Sequence, residues 1–184
     1  MKLLLTSAGI KNASIRKALV DLLGKPIAES NALCIPTAGY GHPQGSPGGA
    51  WRFISGREPR CPMTGLEWKS MGVLELTALP SIREERWVRW VREADVLLVN
   101  GGDAVFLAHW MRQSGLAGLL PSLEAVWVGL SAGSMVMTPR VGDDFVETKP
   151  PITGEDAALG VDDGIVEVVS EGHWKRFGSR ASVG

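Results

Sequence analysis

The chain has 184 residues, 45% of them hydrophobic, and 19 basic side chains against 20 acidic ones leave a formal net charge of -1. That length suits one domain with a core large enough to need no disulfide or metal staple. The near-balance of charge gives no electrostatic footprint for nucleic acid or an anionic membrane, and it points to a small molecule or a short peptide as partner.

The first predicted element is a buried strand from Lys2 to Thr6. Its apolar core of three leucines is too short for a signal peptide, and no later apolar run reaches membrane-spanning length. A helix over Ala13 to Leu23 follows, with Ile15, Leu19 and Leu22 on one face. Ala32 to Pro36 reads as the second strand and contains Cys34; the other cysteine, Cys61, lies among prolines. Such a pair is poor material for a disulfide framework and predicts a reducing compartment, the cytoplasm.

The stretch from Gly39 to Met71 breaks the rhythm with glycines, prolines, aromatics and Arg52, Arg57 and Arg60, and predicts a partly helical excursion over the active face. Strands are then predicted at Val73 to Leu76, Asp95 to Val99 and Ala125 to Leu130, with helices at Arg83 to Glu93 and Ala104 to Ser114. Five strands alternating with helices imply an α/β domain, a mostly parallel sheet with helices on both faces and a site at the carboxyl ends of the strands. One domain over 1–177 and a frayed tail over 178–184, where residues are small and polar, complete the outline.

Two loops carry chemistry. Gly129-Leu130-Ser131-Ala132-Gly133 joins a predicted strand to a helix-compatible run, the context of a nucleophile elbow, in which small flanking residues let strand and helix approach closely. A turn without chemistry would read the same way. Asn100-Gly101-Gly102-Asp103 ends the preceding strand and opens a helix, so its amides belong at the same sheet edge. Acyl transfer needs two donors at the developing oxyanion, and the amides of Gly102 and Ala132 would serve if the loops are neighbours. Asp103 alone would equally explain an ordinary helix start.

With both motifs in place, the sequence resembles the dipeptidase E family of serine peptidases, relatives of cyanophycinase. The opening Lys-Leu-Leu-Leu-Thr-Ser and the Ile-Pro-Thr-Ala at 35–38 agree, and the resemblance runs over about residues 1–160. It implies a flavodoxin-like sheet related to class I glutamine amidotransferases and metal-free hydrolysis of short peptides with an N-terminal aspartate, without a cofactor. By this resemblance Ser131 matches the nucleophile, and Gly101 and Gly102 match the oxyanion loop. The acid belongs in the loop after the nucleophile helix, where Asp143, Asp144 and Glu147 stand, Asp144 being favoured. A substrate aspartate calls for a cation; Arg140 is nearest in sequence to the nucleophile helix, where it would equally serve as a solvated charge at a helix end.

The family's Pro-His pair, whose imidazole is the general base, has no counterpart. Ala158-Leu159-Gly160 passes straight to Val161-Asp162-Asp163-Gly164, and the run from Gly164 to Trp174 resembles the family's final strand, as though a segment were deleted. Three histidines remain: His42 in the Gly/Pro-rich loop, His109 inside a helix and His173 in the terminal strand. The alternative to an active peptidase is therefore an impaired member that binds without turnover, and a sheet edge exposed by the deletion would favour a homodimer. An α/β-hydrolase esterase would need more chain after Ser131, and no Cys-dependent site or metal-ligand cluster is visible.

Overall fold

The computed structural model describes residues 1–57 and 63–138, together with the backbone of strands 166–170 and 173–177. Strand β1 (Lys2–Thr6) leads through helix α1 (Ala13–Leu23) to β2 (Asn31–Ile35). Asn12 caps α1 by accepting the Ile15 amide, and left-handed Gly24 ends it. Ile15 and Leu19 are buried and Leu22 is half-buried, as the helical spacing predicts.

The irregular excursion contains two helices, α2 (Ala38–Gly41) and α3 (Pro47–Ser55), before β3 (Ser70–Val73). The third strand thus lies earlier than Val73 to Leu76: Leu74 and Leu76 are buried in the connection, and Leu76–Ser81 forms a tight 3-10 turn. Then come α4 (Glu84–Arg92), β4 (Val96–Val99), α5 (Ala104–Gln113), α6 (Leu116–Leu119), β5 (Val126–Leu130) and α7 (Ala132–Met135). The run expected as one terminal strand is two, β6 (Val166–Ser170) and β7 (His173–Phe177), paired antiparallel.

Among the described residues the sheet accordingly has seven strands rather than five, in the order β3-β2-β4-β5-β1-β6-β7, and every pairing except β6–β7 is parallel. Alternating residues feed two cores. Leu3, Leu5, Leu97, Val99 and Trp127 pack against α4 and α5, while Leu4, Ala32, Cys34, Val96, Leu98 and Val128 pack against α1 and α3. Helices on both faces bury β4 completely, which is why it reads as an unbroken apolar run.

The chain builds β2 and β3 in one direction across the sheet and then steps back to β4 on the other side of β2. Such a reversal lies between β2 and β4, and in open α/β sheets ligands gather at the carboxyl ends of the strands at that point. The start of α2 lies directly against the loop after β4, and the loop after β5 lies next along the edge.

Candidate active site

Ser131 occupies the turn between β5 and α7 with φ 49° and ψ -112°, and it is the sole non-glycine residue at positive φ among the described residues. An L-residue pays of order 1–3 kcal/mol for such a backbone, so its surroundings must hold it there. They do so through the end of β1. The Ser131 amide donates to the Thr6 carbonyl (3.0 Å), and the Ser134 hydroxyl donates to the same carbonyl (2.8 Å) while accepting the Thr6 amide (2.9 Å). The buried Thr6 hydroxyl in turn donates to the Gly129 carbonyl (2.7 Å) and accepts the Gly9 amide (2.9 Å).

The glycines on either side of the serine are required by clearance. A Cβ on Gly129 would stand 2.4 Å from the Gly133 carbonyl oxygen, and a Cβ on Gly133 would stand 2.6 Å from the Val99 carbonyl oxygen. α7 therefore crosses β5 at backbone contact and rests on the end of β4. Trp127 Nε1 locks this crossing by donating to the Gly133 carbonyl (2.8 Å) from a fully buried position.

The two glycine-rich loops are neighbours. A Cβ on Gly101 would come within 3.1 Å of the Ser131 Cβ. Gly102 has φ 143°, and a side chain there would strike the Ala38 carbonyl oxygen at 2.1 Å, so its backbone lies directly against the start of α2. The Asp103 amide donates to that same carbonyl (2.9 Å), and the Asp103 side chain caps α5 through the Phe106 amide (2.7 Å). The Gly101 amide is taken by Asn100 Oδ1 (2.9 Å). The amides of Gly102 and Ala132 donate to no acceptor among the described residues.

The histidines are scattered. His42 caps the end of α2, exposed, with Nδ1 accepting the Gln44 amide (3.1 Å). His109 is exposed on α5 and stacks edge-on against Trp110. His173 begins β7 opposite Ser170, at the carboxyl edge of the sheet, but β1 and β6 intervene between it and β5. Three strand spacings amount to roughly 14 Å. Asp143, Asp144, Glu147 and Arg140 lie outside the described residues.

Thr6 and Ser134 are the positioning residues that sequence reading missed. Each is an ordinary hydroxyl in a Ser/Thr/Gly context, and only the pairing of β1 with β5 brings them together. Among the described residues no cluster of His, Cys, Asp or Glu could hold a metal ion, and no helix is long and apolar enough to cross a membrane.

Comparison with known proteins agrees with this architecture. The model of peptidase family S51 matches residues 3–166. A crystal structure of a candidate peptidase E protein from Listeria monocytogenes EGD-e superposes with a TM-score of 0.58 at 18% identity, covering 86% of this chain and 74% of that one. Among curated proteins none matches significantly.

Proposed function

The chain belongs to peptidase family S51, and from that premise we propose that it is a serine peptidase acting on short peptides with an N-terminal aspartate, with Ser131 as nucleophile. The observation that carries this reading is the strained Ser131 backbone at the carboxyl edge of the sheet, beside two amides with no acceptor among the described residues. Strain of this kind persists where a fold over-determines it, as at the strand-to-helix turn of a nucleophile elbow.

In the proposed reaction the Ser131 Oγ attacks the carbonyl carbon of the substrate's first residue and its proton passes to a base. Negative charge builds on the carbonyl oxygen, where the Gly102 and Ala132 amides stabilise it. The C–N bond then breaks, the leaving amine takes the proton, and water hydrolyses the acyl-serine to free the acid and regenerate Ser131. With its own amide occupied by Asn100, Gly101 contributes clearance: any side chain there would crowd Leu130 and Ser131. Asp144 as the acid and Arg140 as the cation for a substrate carboxylate belong to this proposal through the family resemblance.

A second reading has its own observation. The sequence lacks the Pro-His pair expected after Leu159-Gly160, and His173 stands three strands away from β5. A serine without a base stays protonated and weakly nucleophilic, which describes a binding protein with an inherited pocket.

Hydrolysis of Asp-Leu and of an aspartyl-anilide by the wild-type chain, compared with Ser131→Ala, separates the two. An active peptidase loses at least about 1,000-fold in kcat in the variant. Equal, near-background rates sink the peptidase reading and leave binding, measured by calorimetry with the same dipeptide, as the function of the cleft.

A further inference from the structure

At the end of the sheet remote from β7, strand β3 ends the strand order and, among the described residues, pairs only with β2. Its outward backbone groups form an open template for another strand. Proteins usually blunt such edges with lysine, proline or a covering element, yet Ser70-Met71-Gly72-Val73 contains neither residue. The exposed large apolar side chains of the described residues gather here as well. Met71 is 36% exposed, Val73 50% and Trp90, on α4, 39%; the other two, Tyr40 and Trp51, belong to the α2–α3 excursion.

Register assigns these side chains to the two faces of the edge. Met71 and Val73 align with Ala32 and Cys34, on the face that carries α1 and α3. Gly72 aligns with Leu33 on the α4 face, where Leu33, Gly72, Trp90 and Glu93 help line a groove of about 380 Å³. The edge is apolar on the face of Met71 and Val73, while on the α4 face polar Ser70 and flat Gly72 lie beside Leu33 and Trp90, leaving room for the side chains of an added strand.

Charge on α4 selects the occupant. Arg83, Arg86, Trp90 and Glu93 recur at helical spacing on one exposed face, and the Arg86 guanidinium lies 5.6 Å from the Trp90 ring centre. Along the axis that face reads basic, apolar, acidic. Turned over on itself by a two-fold axis, it meets the complementary order, with Arg86 of each chain facing Glu93 of the other. The Arg89–Glu93 pair within one chain (2.7 Å) is an exposed i,i+4 contact of little worth, so Glu93 is cheaply re-paired.

We propose that β3 and the Arg83–Glu93 face of α4 form a homodimer interface, in which β3 pairs antiparallel with its copy across a two-fold axis and the two sheets become one. The interface lies at the opposite end of the sheet from the terminal hairpin, three strands away from β5, which carries Ser131.

Sedimentation velocity at concentrations up to about 100 μM, a range that catches even a weak dimer, provides the test. The wild type is expected at twice the chain mass. Met71→Lys with Val73→Lys is expected to shift dissociation by about 100-fold or more. Arg86→Glu alone is expected to weaken the dimer by about 10-fold, and Arg86→Glu with Glu93→Arg to restore it, since reversing both charges preserves complementarity. These last two changes are on an exposed helix face and do not depend on how the strand variant folds. A wild type that stays monomeric throughout, or a dimer indifferent to both sets of substitutions, overturns the proposal; a peptide strand of another protein as the true occupant would give the first of these results.

Discussion

At the scale of single residues, the most informative position is Ser131, because its backbone and its chemistry pull in opposite directions. With φ 49° and ψ -112° it occupies a region that glycine enters freely and serine does not. Ser131→Gly is therefore expected to raise stability by about 1 kcal/mol, the relieved strain exceeding the added entropy of the unfolded chain. Urea unfolding reads this directly. A variant less stable than the wild type would mean that the turn is not strained. Cys34 shows the opposite economy: fully buried, its thiol is pushed up to about 11 mainly by burial, and it serves as packing between β2 and the α1 side of the sheet.

Elements are joined at the other end of the sheet by Asp95, which precedes β4. Its carboxylate accepts the Asn31 amide (2.7 Å) at the start of β2 and pairs with Lys25 (2.8 Å) after α1, so it ties three elements at one point. Burial opposes the charge, but the Lys25 and Asn31 hydrogen bonds and the charges of Lys25 and Lys69 outweigh it and hold the carboxyl below its ordinary value of 3.8. A depressed acid stabilises the fold above its unfolded value, and the contribution disappears as pH falls through the lower folded one. Asp95→Asn is expected to cost about 1 kcal/mol at neutral pH and progressively less as pH falls below 3.8, a difference that thermal melts at neutral pH and in acid would show. An equal loss at both would assign the effect to shape alone.

The same scale shows what the sequence made legible. α1 is bounded by Asn12 and Gly24, signals with a mechanism, and it falls on the predicted residues. β4 and β5, buried on both faces, announce themselves as apolar runs. β3 did not, because an edge strand with one neighbour needs no continuous apolar run, whereas the buried Leu74 and Leu76 beyond it imitate one. The terminal hairpin reads as one strand in the sequence because Val166–Ser170 and His173–Phe177 are separated by only two residues. At the site, Gly101, Gly102, Gly129, Ser131 and Gly133 were visible as motifs. Thr6 and Ser134 were not, since their roles depend on β1 lying beside β5, a neighbourhood that local pattern does not encode.

For the whole molecule, topology sets an order of stability. β4 and β5 lie in the middle of the sheet under helices on both faces, with Leu97, Leu98 and Val128 fully buried, while β3 and β7 end the strand order. Amides in the centre open only when the molecule unfolds, and those at an edge open locally at far lower cost. Hydrogen exchange is thus expected to be slowest in β4 and β5 and much faster in β3. The Ser131 elbow rises from β5 and rests on β4, so the strained turn is built on the part of the sheet that opens least, as a site that must hold its geometry requires. Exchange in β3 should slow as protein concentration rises if chains pair along that edge, whereas protection of β4 and β5 should stay constant. Uniform protection across all strands at every concentration would contradict both the order of stability and the exposed edge from which it follows.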